Sequence, residues 1–268
     1  MSGRTTDTML ALSIINIAAT ISAVALCLSP YPDFRRIHRQ QNTGEVRILP
    51  VLMLCCNCFA WAVYGYLSES YFPVLSINVF GTLSALTFTS VFYRWTKDRA
   101  ALNKMGVYSA AGVLLAMMFV ALARSAVIPV SSSVLKAIVG YVAIAVNICL
   151  YASPLQTMKI VLRTKSAASL PLTMCVVNLV NGALWVSYAL LSNDMFVLVP
   201  NALGVVLTAV QVALCIKYRP SSLPVQLGES LVRVKSELSL FVSPRPDVVA
   251  IDFVRSPVYE VVRSPRTA

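Results

Sequence analysis

Apolar residues in this chain form long, nearly uninterrupted blocks, without the three-to-four-residue spacing that marks an amphipathic helix of a soluble protein. A helix needs about 20 such residues to cross the hydrocarbon core of a bilayer. Because lipid offers the backbone no hydrogen-bond partners, each spanning block must satisfy its own polar groups and is predicted to be a helix. Seven blocks are long enough, with approximate bounds 8–28, 48–67, 72–93, 105–122, 134–152, 170–191 and 196–218.

The two halves of the chain carry the same clusters of polar and aromatic residues at a nearly constant separation. The offset is 124 residues, as from Pro30 to Pro154, and it shortens by one residue before the last pair. Self-similarity at a fixed distance indicates an internal repeat. The matching pairs are Ser29-Pro30 with Ser153-Pro154, Asn57-x-x-x-Trp61-x-x-Tyr64 with Asn181-x-x-x-Trp185-x-x-Tyr188, Leu67-Ser68 with Leu191-Ser192, and Asn78-x-x-Gly81 with Asn201-x-x-Gly204.

Each copy contains three predicted helices, and one unpaired helix separates the copies. An odd number of intervening helices lets both copies start on the same side of the membrane, so the repeats are predicted to be parallel. The expected fold class is an all-α membrane protein with seven transmembrane helices, in which two parallel three-helix repeats are joined by one linker helix. The expected domains are 1–98 for the first repeat, 99–128 for the linker helix, 129–218 for the second repeat and 219–268 for a disordered cytoplasmic tail rich in Pro and Ser.

Composition and charge agree with a membrane protein. Hydrophobic residues make up 57% of the chain and charged residues 12%, about half the charged share of a soluble domain. Basic residues concentrate in the first, third and fifth connections and at the start of the tail. The positive-inside rule then places these segments in the cytoplasm and the N-terminus outside. This asymmetry accounts for most of the net charge of +11, so no nucleic-acid partner is expected.

Asparagine and tryptophan supply the polar chemistry inside the predicted helices. A carboxamide both donates and accepts hydrogen bonds toward sugar hydroxyls, and an indole face can cover the apolar side of a sugar ring. In two other interpretations, the asparagines join helices to one another, which the pattern favours for Asn57 and Asn181 but not for Asn78 and Asn201, and the tryptophans lie at the membrane interface. The candidate substrate-binding residues are Asn78, Asn201, Trp185, Trp61, Asn57 and Asn181.

Asp, Glu, Lys, Arg and His are absent from the middle of every predicted span. Proton-coupled transporters and ion pumps use buried titratable groups as relays, so the pattern favours transport without ion coupling. The only histidine, His38, falls in the first connection, and the cysteines lack the four-ligand pattern of a structural zinc site. No cofactor or metal is expected, and an enzyme is not favoured.

Four prolines fall at the predicted cytoplasmic ends of helices, two in each repeat. Each removes a backbone donor and loosens the helix at that point. They are candidate hinges, although prolines also commonly mark helix ends. The four are Pro30, Pro50, Pro154 and Pro171.

Over roughly residues 8–218, these motifs resemble the SWEET family of sugar transporters. The resemblance is specific in both repeats and does not extend to the tail. It is carried by Ser29-Pro-Tyr-Pro-Asp-Phe34, Asn42-Thr43, Trp61-x-x-Tyr-Gly65, Ala152-Ser-Pro-Leu155, Arg163-Thr-Lys-Ser166, Asn181-Gly182 with Trp185-x-x-Tyr188, and Val199-Pro-Asn-x-x-Gly204.

The resemblance implies facilitated, bidirectional diffusion of mono- or disaccharides by alternating access through a three-one-three helix arrangement. It puts the substrate pocket at Asn78, Asn201 and the two tryptophans, and it makes the four prolines a tetrad. It also implies an outer gate formed by Tyr64 and Asp194. Position 61 is small in some family members, so Trp61 is expected to narrow the pocket.

The expected partners are a sugar, either a glucose-like hexose or sucrose, and the lipid bilayer. The plasma membrane is the expected location; a Golgi or vacuolar membrane and a homo-oligomer stay open. Two other function classes share the seven spans. A proton-coupled amino-acid exporter of the PQ-loop group predicts Pro-Gln dipeptides and a mid-membrane Asp, and a heptahelical receptor predicts no internal duplication.

Overall fold

The computed structural model describes residues 2–44, 46–167 and 170–218 of the chain, and the predicted disordered tail at 219–268 lies outside them. Every regular element in the described ranges is helical. A π-helical turn, Tyr71–Leu75, precedes the fourth of the α-helices. These are α1 (Ser2–Cys27), α2 (Tyr31–Gln40), α3 (Leu49–Leu67), α4 (Ser76–Trp95), α5 (Arg99–Arg124), α6 (Ser132–Leu150), α7 (Ala152–Thr164), α8 (Leu172–Leu191) and α9 (Met195–Lys217).

Within the described ranges, seven helical segments are long and apolar enough to cross a membrane, which confirms the predicted fold class. The first and fifth segments continue beyond the predicted blocks into α2 and α7. The apolar pattern does not reveal these two short helices. In α2 the reason is that the helix is amphipathic. It buries Phe34 and Ile37 and leaves its three arginines exposed.

Unusual backbone conformations recur in the two repeats at equivalent places. Gln41 and Lys165, which end α2 and α7, have φ angles of 53° and 54°. Glu69 and Asn193, in the turns that follow α3 and α8, have φ angles of 59° and 53°. Both pairs are separated by the repeat offset. Because a positive φ is uncommon for residues other than glycine, its recurrence shows that the two copies fold alike at these turns.

Helix contacts follow the same two-fold pattern. In the first repeat α4 packs against both α1 and α3, and in the second α9 packs against both α6 and α8. The repeats meet through two equivalent contacts, α1 with α8 and α3 with α6. The linker helix α5 packs chiefly against α3 and α6. Two parallel repeats related by an axis along the membrane normal produce this arrangement.

The one-residue difference between the repeats falls at the π-helical turn. The offset is 124 residues from Ser70 to Asp194 but 123 from Asn78 to Asn201, so the first repeat has one more residue in this interval. The segment Tyr71–Leu75 takes up this residue: Phe72 has an extended backbone, with φ −133° and ψ 126°, and the Leu75 nitrogen donates to the carbonyl oxygen of Ser70 at 3.0 Å. The turn therefore restores the register between the two copies before the repeated residues resume at Asn78.

A glycine on α3 allows this turn to pack closely. A Cβ atom at Gly65 would lie 2.8 Å from the backbone nitrogen of Leu75, which is too close for any side chain. In the second repeat the equivalent position is Ala189, which is fully buried, and α9 begins without a π-helical turn. The extra residue of the first repeat thus requires a position without a side chain on the neighbouring helix.

Buried apolar side chains in the described residues form three clusters. One takes residues from all seven spanning segments and includes Tyr64 and Tyr188; we call this the tyrosine end. At the opposite end, which carries the four prolines, the first repeat and α5 enclose a cluster around Phe34. The second repeat encloses its own cluster there around Val161. The repeats thus share a core at the tyrosine end and have separate cores at the proline end.

Candidate functional site

A cavity of about 190 Å³ lies between the two repeats, beside the shared core. Its wall contains five asparagines and two tryptophans, and none of the described residues that line it is charged. Such a wall suits a neutral ligand with many hydroxyl groups, because each carboxamide can both donate and accept hydrogen bonds. All six predicted substrate-binding residues line this cavity: Asn57, Trp61, Asn78, Asn181, Trp185 and Asn201.

Asn78 and Asn201 occupy equivalent places and are held in the same way. The side-chain nitrogen of Asn78 donates to the carbonyl oxygen of Val74 at 2.8 Å, and that of Asn201 donates to Val197 at 2.8 Å. Each bond fixes the carboxamide on its own helix and leaves the side-chain oxygen available to a ligand. An asparagine that joined two helices would bond across to the second one, so this geometry supports the cavity-facing interpretation.

Each repeat also contributes one tryptophan–tyrosine pair with edge-to-face geometry. The ring centroids of Trp61 and Tyr64 are 5.5 Å apart at 82°, and those of Trp185 and Tyr188 are 5.6 Å apart at 81°. All four side chains are buried. The tryptophans line the cavity, and the tyrosines lie one helical turn closer to the tyrosine end. Burial between the repeats argues against an interfacial role for these tryptophans.

Two hydrogen bonds join the repeats at the tyrosine end, and we call them the latches. In the first, the hydroxyl of Tyr64 donates to a carboxylate oxygen of Asp194 at 2.8 Å. In the second, the hydroxyls of Ser70 and Tyr188 are hydrogen-bonded at 2.8 Å. Ser70 and Asp194 are separated by the repeat offset, so the latches are two copies of one contact. The predicted gate pair is thus in contact, and the sequence did not predict the second latch.

The first latch is chemically the stronger one. Asp194 also accepts hydrogen bonds from the backbone nitrogens of Phe196 and Val197, so the same carboxylate caps α9. Hydrogen bonds to an ionised carboxylate are roughly twice as strong as those between neutral groups. Lys136 and the two tyrosines also line a second cavity, of about 310 Å³, at this end. Opening of the tyrosine end would therefore break one strong and one weaker latch.

The four candidate hinge prolines all lie at the start of a helix. Pro30 and Pro171 are the N-cap residues of α2 and α8, and Pro50 and Pro154 lie in the first turns of α3 and α7. A proline in the first turn removes no intrahelical hydrogen bond. Their positions agree with both the hinge and the helix-end interpretations.

Asn147 of α6 also lines the cavity, although the sequence did not predict it. Its counterpart in the first repeat is Ala23, so the duplication gives no signal at this position. The signal that could have found it is a carboxamide inside a predicted span, since polar side chains there tend to face protein or water.

Comparisons with known proteins agree with this geometry. The chain matches a family described as sugar efflux transporter for intercellular exchange at residues 13–100 and again at 137–223, two segments that begin 124 residues apart. It is 29% identical over 223 residues to bidirectional sugar transporter SWEET17 of Arabidopsis thaliana, covering 83% of this chain and 91% of that protein. It is 32% identical over 213 residues to bidirectional sugar transporter SWEET1b of Oryza sativa subsp. japonica, covering 78% and 80% of the two chains.

A solved structure shares the fold. The 3.7 Å resolution structure of a eukaryotic SWEET transporter superimposes with a TM-score of 0.67 at 27% sequence identity. The alignment covers 79% of this chain and 98% of that one.

Removal of the Tyr64 hydroxyl should open the tyrosine end more often than removal of the Tyr188 hydroxyl. A hydrogen bond to a charged group contributes about 1.5–3 kcal/mol and one between neutral groups about 0.5–1.5 kcal/mol. We therefore expect Tyr64→Phe to speed labelling of a cavity cysteine, Ala23→Cys in a cysteine-free background, by an impermeant thiol reagent applied at the tyrosine end. Tyr188→Phe should speed it less.

The exposed Tyr66 on the same helix provides the control, because Tyr66→Phe removes a hydroxyl that belongs to neither latch. Labelling in that variant should match the parent. If Tyr188→Phe speeds labelling as much as Tyr64→Phe, the ranking of the latches is wrong.

Proposed function

The chain belongs to the SWEET family of sugar efflux transporters, and on that basis we propose that it is a facilitative transporter of sugars. It moves mono- or disaccharides in both directions across a membrane by alternating access. The observation that carries this proposal is the cavity between the repeats, with its five carboxamides, two indoles and no charged group among its described lining residues. A glucose-like hexose or sucrose is the proposed substrate.

Sugar binding uses the two chemical features of the cavity wall together. Asn78 and Asn201 offer their side-chain oxygens to sugar hydroxyls, since their nitrogens are already bonded to their own helices. Trp61 and Trp185 supply indole surface for the apolar side of the ring. The equivalence of the two repeats supports this assignment, because the two-fold axis brings equivalent residues to opposite walls of one cavity.

Alternating access follows from the uneven joining of the repeats. The shared core and both latches close the tyrosine end. At the proline end each repeat has its own core, so the route to the cavity runs between those two cores. In the opposite state the latches break, the proline end closes, and the sugar leaves at the tyrosine end. Tyr64 and Asp194 thus serve as the outer gate.

The chain is an integral membrane protein with seven spanning segments. We assign the proline end to the cytoplasm, because the positive-inside rule places the basic first, third and fifth connections there. The tyrosine end and the N-terminus then face outside, with the plasma membrane as the proposed location. The corresponding domains are the repeats at 1–98 and 129–218 and the linker helix at 99–128.

Family membership favours this function over the two alternatives. A proton-coupled exporter needs a titratable relay in the membrane, and the middle of every predicted span lacks one. A receptor would not require two equivalent halves around a polar cavity. The family is one of transporters, which argues against an enzyme.

Sugar flux through the purified protein in proteoliposomes should follow the sugar gradient alone, because no titratable side chain in the middle of a span can couple it to protons. Counterflow across a panel of hexoses and sucrose tests the function and identifies the substrate. Sugar accumulation driven by an imposed pH or sodium gradient would exclude uncoupled transport. A lack of exchange with every sugar would overturn the proposed function.

Alanine at Asn78 or Asn201 should weaken sugar binding severalfold or more, because each substitution removes at least one hydrogen bond, which contributes about 0.5–1.5 kcal/mol. Sugar affinity measured on purified, monodisperse protein is the readout. Asn103→Ala is the matched control, since Asn103 is an exposed asparagine on the linker helix. Normal affinity in both cavity variants, with loss of folded protein instead, would assign these asparagines to helix packing.

The proline tetrad should act as a set of hinges, since all four lie at helix starts, where a proline supplies no backbone donor to the preceding segment. Pro30→Ala and Pro154→Ala should slow transport while the protein stays folded and its sugar affinity stays within about twofold. Pro129→Ala, in the exposed loop before α6, is the control. Wild-type transport rates in alanine variants of all four prolines would leave them only a helix-end role.

A further inference from the structure

Asn57 and Asn181 occupy equivalent positions in the two repeats but have different hydrogen-bond partners. The hydroxyl of Ser22 on α1 donates to the side-chain oxygen of Asn181 at 2.8 Å, across the contact between the repeats, and the carbonyl oxygen of Ala19 in its own helix lies 3.0 Å from the same hydroxyl. The side-chain oxygen of Asn57 is buried and has no partner among the described residues. The sequence explains this difference, because the counterpart of Ser22 is Val146, whose side chain cannot form a hydrogen bond.

This difference changes what each amide can offer to a ligand. A carboxamide has one oxygen that accepts hydrogen bonds and one NH₂ group that donates them. The bond from Ser22 takes one lone pair of the Asn181 oxygen and fixes the amide, so that its NH₂ group is left for the cavity. The oxygen of Asn57, by contrast, accepts no hydrogen bond from the described residues, and a buried acceptor without a donor is unfavourable. A ligand hydroxyl that donates to Asn57 would remove that cost once the Asn57 side chain turns its oxygen into the cavity.

We propose that Ser22 is a positioning residue that converts the symmetric pair Asn57 and Asn181 into one acceptor and one donor, and that the cavity therefore holds a sugar in a single orientation. The inference rests on the proposed sugar transport. Asn78 and Asn201 cannot select an orientation by themselves, because both are bonded identically. A fully symmetric wall would bind an asymmetric sugar in two equivalent ways. Asn147, whose counterpart in the first repeat is Ala23, and Ser22, which fixes Asn181, both break that symmetry.

Analogues of the transported sugar distinguish a protein donor from a protein acceptor. A fluorine in place of a hydroxyl cannot donate a hydrogen bond but can still accept one weakly, whereas a hydrogen can do neither. At the hydroxyl that donates to Asn57, the deoxy and fluoro analogues should both bind more weakly. At the hydroxyl that accepts from Asn181, the deoxy analogue should lose affinity and the fluoro analogue should retain most of it.

Substitution of Ser22 should remove the affinity difference between the fluoro and deoxy analogues at the hydroxyl that accepts from Asn181. In Ser22→Ala the amide of Asn181 is free to rotate, so affinity for the parent sugar should fall about three- to tenfold, the effect of one hydrogen bond. The fluoro analogue should then lose its advantage over the deoxy analogue. Ser22→Thr keeps the hydroxyl and should restore both. Ser13→Ala is the matched control, because Ser13 lies on the same helix, is exposed and bonds only to the carbonyl oxygen of Met9 in its own helix.

A transfer of the hydroxyl to the other repeat provides the sharpest test. Val146→Ser introduces a hydroxyl at the position that the repeat offset pairs with Ser22. We expect it to donate to Asn57 and to weaken binding in the wild-type background, because the free acceptor becomes occupied. In the double variant, Ser22→Ala with Val146→Ser, the roles of the two asparagines exchange, so affinity should recover relative to Ser22→Ala alone.

The outcomes separate this inference from the proposed function. If Ser22→Ala binds the parent sugar and every analogue as the wild type does, the inference is wrong while sugar transport stands. If Ser22→Ala lowers thermal stability but leaves the analogue pattern unchanged, Ser22 only joins the repeats, and the inference is also wrong. If the wild type neither binds nor exchanges any sugar, the proposed function fails and the inference fails with it.

Discussion

The two contacts between the repeats, α1 with α8 and α3 with α6, determine where the rest of the structure can form. Lipid provides little hydrophobic driving force between helices, so such contacts depend on close packing and hydrogen bonds. At the tyrosine end they are reinforced by a core drawn from all seven spans and by the two latches. Toward the proline end, the clusters of buried apolar side chains among the described residues each belong to one repeat, with α5 added to the first. The cavity lies between the shared core and the two separate cores. Packing between the repeats therefore sets the position of the cavity.

The sequence predicted the seven spans and their parallel arrangement because a membrane leaves the backbone few alternatives to a helix and because the duplication constrains topology. It did not predict α2 and α7, which extend the first and fifth spans. Both are too short and polar for an apolar block to reveal, and α7 contains Pro154 in its first turn, where the residue does not interrupt a helix. The predicted start of α5 was also late, since the helix begins at Arg99 among polar residues.

Repetition guided the choice of cavity residues, and it also limited that choice. Asn78 and Asn201 were found because both copies kept the same residue. Asn147 and the latch between Ser70 and Tyr188 were missed because their counterparts differ in chemistry. A symmetric scaffold can be recognised from pairs that match, whereas the features that distinguish one side of a ligand from the other depend on pairs that do not. To find features that depend on unmatched pairs, one needs distances between side chains, which a single sequence does not contain.

The separate cores at the proline end also imply an order of assembly during synthesis. The first of these cores uses residues between Phe34 and Leu102, so the chain contains all of them before the second repeat is made. The shared core joins Ala19 to Val197 and cannot be complete until α9 begins. Contacts between residues close in sequence form sooner, because they enclose shorter loops. A nascent chain that ends after α5 therefore holds a finished half-core beside a tyrosine-end surface that the second repeat covers later.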